Sequence, residues 1–141
     1  MTKLEELICD IEAIADRRER IEALISIGDQ FVNEPSAIVP RTEENRVKGC
    51  ESEVFITAEP GPTLNLHFAV DNPQGISAMA FAQILKECLN GQPTSEAEFL
   101  NEEMVYRVFG TELSMGKTAG LTGMIQRVKS LAQLNSQGRP T

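Results

Sequence analysis

Leu4, Leu7, Ile8, Ile11, Ile14 and Ala15 recur at intervals of three and four, the spacing that lays apolar side chains along one face of a helix. Thr2 followed by Glu5 supplies a capping box, so residues 1–15 are predicted to form an N-terminal helix. Asp16 and Glu19 repeat the signature and open a second helix, with Ile21, Leu24 and Ile25 on one face and Gly28 as its stop. The stretch FVNEPSAIVPRTEEN (31–45) breaks the period, and Pro35 and Pro40 mark it as a loop. The period then drops to two. Val54, Ile56 and Ala58 alternate, EPGP (59–62) turns, and Leu64, Leu66, Phe68 and Val70 alternate again, which predicts an antiparallel hairpin with one buried face.

Helical spacing returns after Asn72-Pro73, a helix start with proline at its first position. Ile76, Ala80, Ile84 and Cys88 run down one side until Asn90-Gly91. Ser95 and Glu98 suggest a cap before a short helical piece, and residues 101–109 read as helical up to Gly110. Leu121, Met124, Ile125, Val128, Leu131 and Leu134 define a final helix, with a frayed tail from about residue 135 to 141. Helices, a small sheet, then helices make an α+β fold, and no linker divides residues 1–141, which read as a single domain.

A chain of 141 residues with 41% hydrophobic content suits one modest core, and no apolar run approaches the ~18 residues of a membrane span. The acidic start MTKLEELICDIEA is unlike a signal or transit peptide, so a cytoplasmic or equally reducing location is expected. A net charge of −8 argues against nucleic-acid and anionic-membrane partners. Arg41, Arg46 and Lys48, and again Lys117, Arg127 and Lys129, read as solvated surface.

Cys9, Cys50 and Cys88 match no metal-binding spacing, and His67 is the only histidine, so no metal site is expected. Cys88 falls on an apolar helix face and reads as core, and Cys9 flanks one. Cys50 differs: in RVKGCESEVF (46–55) it follows Gly49, precedes Glu51 and Ser52, and would stand at the tip of a turn if Arg46-Val47 pairs into the sheet. Lys48 would favour its thiolate and Glu51 oppose it. A cysteine phosphatase needs arginine where Ile56 stands, and a cysteine hydrolase needs an imidazole base, whereas His67 alternates onto the face opposite Leu66 and Phe68. GTELSMGKTAG has five residues between Gly110 and Gly116, where a phosphate-binding loop needs four, and reads instead as a helix end, a Ser114 cap and a new helix. On residue chemistry alone a functional role for Cys50 stays open.

Three segments resolve the choice by likeness. RIEALISIG (20–28), RVKGCESEVF (46–55) and LSMGKTAGLTGMI (113–125) together resemble the SufE family of sulfur-acceptor proteins for cysteine desulfurases, as does DNPQGISAMAFAQILKECLNGQPTSEAE (71–98) between them. The resemblance spans roughly residues 17 to 130 and implies a compact SufE/IscU-like α+β fold, shared with iron–sulfur scaffold proteins. It implies that Cys50 carries a persulfide, supported by the loop residues Lys48, Gly49, Glu51 and Ser52, with Val54, Phe55 and the last helix covering the bound sulfur. Arg46 and Lys117 would serve partner docking or electrostatic support.

The implied partners are a cysteine desulfurase and a downstream iron–sulfur scaffold complex, with pyridoxal phosphate on the desulfurase, no cofactor here and no stand-alone turnover. Phe55 replaces the family's usual tryptophan, and Ala78-Met79 its basic-glycine pair. Gly116-Lys117 stands in place of Ser-Arg, and lysine keeps the charge but loses the planar fork. Two other readings fit the same fold: an iron–sulfur scaffold, and a regulatory module that activates a desulfurase by docking alone.

Overall fold

Thr2 and Asp16 cap the first two helices as their spacing predicts. Thr2 Oγ1 accepts the Glu5 N–H at 3.1 Å, and Asp16 Oδ1 accepts that of Glu19 at 3.0 Å. The computed structural model describes residues 2–49, 53–71, 75–110 and 115–136. Helix α1 (Lys3–Glu12) buries Leu4, Ile8 and Ile11. Helix α2 (Arg17–Asp29) buries Leu24 and Gly28, but Ile21 and Ile25 of the predicted apolar face remain exposed. Gly28 faces α3 (Ile76–Leu89), where a β-carbon built on it would meet the Ala80 backbone nitrogen at an ordinary contact distance of 3.5 Å.

Strands β1 (Val54–Ala58) and β2 (Leu66–Val70) pair antiparallel, with Val54 opposite Val70, Ile56 opposite Phe68 and Ala58 opposite Leu66. These inward residues join the main core, where Phe68 and Phe81 are fully buried and each stabilises the fold by about 3 kcal/mol on area grounds. The expectation of one buried face is corrected: Phe55 and Ala69 on the other face are buried as well, under Val39 of the 31–45 loop. A third segment lines the free edge of β1. Arg46 bridges Phe55, Val47 N–H donates to Val54 O at 2.8 Å, and Ile56 N–H donates to Asn45 O at 3.0 Å.

Leu64 lies outside the strand yet is buried, because the chain following α3 pairs with it: Leu64 N–H donates to Gln92 O and Gly91 N–H donates to Leu64 O. Asn90 completes this join, accepting from Leu66 N–H at 2.7 Å and donating to Leu66 O at 3.1 Å. The predicted helix start at Asn72-Pro73 lies outside the described residues; α3 begins at Ile76 with Gly75 as its cap, and Ile76 is exposed. Ser95 and Glu98 cap nothing. They lie within a 3-10 turn, Thr94–Phe99, whose cap position is Pro93.

Helix α4 (Glu103–Phe109) ends at Gly110, whose φ of 79° places it in the left-handed region. Helix α5 (Met115–Ser136) buries Leu121, Met124, Ile125, Val128 and Ala132. It runs past the expected start of fraying, and Asn135 is buried with its amide donating to Glu59 O at 3.0 Å. The Ser114 cap lies outside the described residues. The result is an α+β domain, helices packed on a small antiparallel sheet. Among the described residues no helix is long and apolar enough to cross a membrane.

Candidate functional site

Residues 48–53 connect the edge segment 46–47 to β1, and the described chain on both sides of residues 50–52 is held tightly. Cys50, Glu51 and Ser52 themselves lie outside the described residues, and with them the expectation that Cys50 stands at a turn tip. On the near side, Val47 is buried while Lys48 and Gly49 are exposed. Gly49 has a φ of +81°, a conformation glycine adopts without penalty. It lies over α5, where its β-carbon position is 3.5 Å from Ala119 O. One turn further on, a β-carbon built on Gly123 would stand 2.3 Å from Lys48 O and 3.0 Å from Val47 Cγ1. The 47–49 arm thus rests directly on the backbone of α5.

On the far side, Glu53 O accepts the Asp71 N–H at 2.9 Å, so the end of β2 lies beside the same connection. Asp71 is gripped by Arg41, Nε to Oδ2 at 3.0 Å and Nη2 to Oδ1 at 2.9 Å, and by Asn33 Nδ2 at 3.1 Å. The Arg41 hydrogen bonds hold the Asp71 carboxyl below the usual carboxylate range against the opposing effect of burial. Asn33 also accepts the Val70 N–H at 2.9 Å. Arg41 therefore ties the outer loop to the sheet and is not the solvated charge expected.

Arg127 anchors the other edge. Its Nε and Nη2 donate to Ile56 O at 3.1 and 3.0 Å, and Nη2 reaches Asn45 Oδ1 at 3.3 Å. Burial pushes its pKa down, with the nearby Glu44 charge opposing. Lys129 donates to Leu100 O at 3.0 Å. Of the proposed docking cations, Arg46 is half-buried with Glu43 3.8 Å away, and Lys117 is exposed in the first turn of α5, two residues before Ala119. Val54 faces the main core and Phe55 the outer cluster with Val39 and Ala69.

The other thiols are placed apart, on α1 and α3. Cys88 is buried, which pushes its pKa up to about 11, with the Glu87 charge adding to the effect. Cys9 is half-buried; its Sγ lies 3.7 Å from Glu5 Oε1 and accepts from Arg107 Nη2 at 3.6 Å. His67 lies on the outer face between Glu34 (Nδ1, 3.0 Å) and Glu59 (Nε2, 3.1 Å). Among the described residues no group of three or more His, Cys, Asp or Glu is placed to hold a metal ion.

Arg41, Asn45, Asp71, Gly123 and Arg127 escaped the sequence reading as parts of this site. Gly123 left a trace in GLTGM: a glycine inside a helix costs about 1 kcal/mol relative to alanine and signals a close approach.

The SufE family model, described as an Fe-S metabolism associated domain, matches residues 5–132. An uncharacterized SufE-like protein of Rhizobium meliloti (strain 1021) is 28% identical over 142 residues, covering 94% of this chain and 96% of that one. A second such protein, of Rhizobium etli, is 27% identical over 141 residues, covering 96% and 93%. The fold matches the solution structure of a hypothetical protein from Thermus thermophilus with a TM-score of 0.75 at 21% identity, over 97% of this chain and 99% of that one.

Proposed function

The chain belongs to the SufE family, associated with iron–sulfur metabolism, and on that premise we propose that it accepts sulfur from a cysteine desulfurase as a persulfide on Cys50. In this reading it stimulates the desulfurase, passes the sulfur on to an iron–sulfur scaffold complex, and works in the cytoplasm. It holds no cofactor of its own; pyridoxal phosphate belongs to the desulfurase. The observation that carries the proposal is the family match over residues 5–132, combined with the Val-x-Gly-Cys-x-Ser-x-Val pattern at residues 47–54.

The transfer is a thiol exchange. The Cys50 thiolate attacks the outer sulfur of the desulfurase persulfide, a new sulfur–sulfur bond forms on Cys50, and the old one breaks to release the desulfurase thiolate. The proton on the outer sulfur travels with it, and no external oxidant or reductant is consumed. Such a thiol must be offered to another protein's pocket. A short connection between Val47 and Val54, with both flanks clamped, suits that need. Lys48 favours the thiolate, and Arg46 and Lys117 support docking electrostatically.

The test is peptide-level mass spectrometry after incubation with a desulfurase and cysteine. A gain of about 32 Da on the peptide containing Cys50, absent from a Cys50→Ser variant, is the expected result. Sulfur found on Cys9 or Cys88 instead would overturn the assignment.

A further inference from the structure

A chain with 21 acidic and 13 basic residues should rarely present a cavity whose described lining holds no carboxylate. One such groove, of about 560 Å³, opens between α2, the N-terminal turn of α3, the end of α4 and the first turn of α5. Its lining includes Arg17, Arg20 and Lys117, and among the described lining residues there is no Asp or Glu. Arg20 Nη2 donates to Glu12 O at 3.1 Å and to Ile14 O at 3.0 Å. Both acceptors are neutral carbonyls, so these bonds fix the guanidinium without cancelling its charge.

The same groove collects exposed apolar side chains. Ile21, Ile25 and Ile76 are 45%, 42% and 50% exposed, and all three line it. Ile21 and Ile25 are one helical turn apart, the spacing that meets a second helix laid alongside. Along the chain the groove lies close to the described flank of the proposed sulfur-transfer site: Lys117 lines it, and Ala119, two residues on but turned to another side of α5, lies under Gly49. A partner touching the 48–53 connection would therefore have this groove within reach along the start of α5.

We infer that the groove docks an acidic, apolar-faced surface helix of the desulfurase. The isoleucines receive its apolar stripe, and the cationic lining receives its flanking carboxylates. Apolar burial provides most of the affinity, whereas the charges chiefly set the association rate and orientation. This inference rests on the sulfur-acceptor reading and adds to it where the partner binds.

The test is calorimetric titration of the purified desulfurase from the same organism against the full chain and three variants. Ile21→Ser/Ile25→Ser alters two positions that are 45% and 42% exposed and should weaken binding by about tenfold or more while the variant still unfolds cooperatively, only a few degrees below the parent. Lys117→Glu should weaken it too and flatten its salt dependence. Phe99→Ser, at a 66% exposed position on the 3-10 turn, should bind within about twofold of the parent.

Unchanged binding by the isoleucine and lysine variants, while sulfur still reaches Cys50, would overturn the groove assignment and leave the sulfur-acceptor reading standing. Equal loss in the Phe99→Ser control would also overturn it. So would an isoleucine variant that converts a dimer of this chain to monomer without affecting desulfurase binding, which would show a second copy in the groove. If the parent chain neither binds the desulfurase nor takes up sulfur, both readings fall.

Discussion

Gly123 lies so close beneath Lys48 that a β-carbon on the glycine would stand 2.3 Å from the lysine carbonyl oxygen. The obstruction is backbone, which cannot swing aside as a side chain can, so the 47–49 arm would have to lift from α5. Gly123→Ala is expected to destabilise the protein by about 1–3 kcal/mol, despite alanine's better helix propensity, and to slow sulfur uptake. Gly28→Ala provides the contrast. Its β-carbon would meet ordinary contacts of 3.5 Å and beyond, so the change should be neutral or stabilising by up to about 1 kcal/mol. Urea denaturation midpoints of the two variants test both signs.

Arg127 is the cross-brace between α5 and the sheet edge, with two hydrogen bonds to Ile56 O and one to Asn45. Arg127→Met keeps much of the apolar stem but strands acceptors on the buried residues Ile56 and Asn45, and should cost about 2–3 kcal/mol. Arg127→Lys keeps the charge without the fork and should recover only part of that. Denaturant unfolding would decide; a methionine variant as stable as the parent would remove the brace from the account.

The elements that depend on neighbours in sequence were legible from the chain alone. Thr2 and Asp16 announced their caps, and the alternation of Leu66, Phe68 and Val70 announced the strand and its inward face. What escaped were contacts between residues far apart in the chain. Nothing local to Val39 says that it covers Phe55 and Ala69, and nothing local to Arg41 names Asp71, thirty positions on, as its partner. Ile21 and Ile25 follow the helical period as faithfully as Leu24, yet α3 covers only part of that face. Cys50 stands out through its motif and its charged neighbours, not through any pattern of burial.

His67 makes stability depend on pH. Burial alone would lower the imidazole pKa, but hydrogen bonds and charge from Glu34 and Glu59 outweigh it, and the net shift is upward. Lys86, 3.5 Å from Glu34, shares that carboxylate. A raised folded-state pKa means that the charged clamp contributes fully below the unfolded value of 6.5, while the carboxylates stay ionised, and is lost as pH rises through the folded value. His67→Gln should therefore lower the melting temperature at about pH 6 and matter little at about pH 9. Equal effects at both values would deny the titration any part in stability.

Thiol reactivity separates the three cysteines. The attacking species is the thiolate, and burial lifts the Cys88 pKa to about 11, so near pH 8 roughly one Cys88 in a thousand is ionised even before its lack of access is counted. Iodoacetamide on the native chain should leave Cys88 unmodified, label Cys50 fastest, and label Cys9 more slowly because its Sγ is half-buried between Glu5 and Arg107. In denaturant those differences should collapse, because burial and neighbours vanish together. Peptide mapping over time provides the readout, and a Cys50→Ser variant should lose the fast phase alone. Native labelling of Cys88 at the rate of Cys50 would mean that α3 opens readily, and the separation of a core thiol from a working one would have to be abandoned.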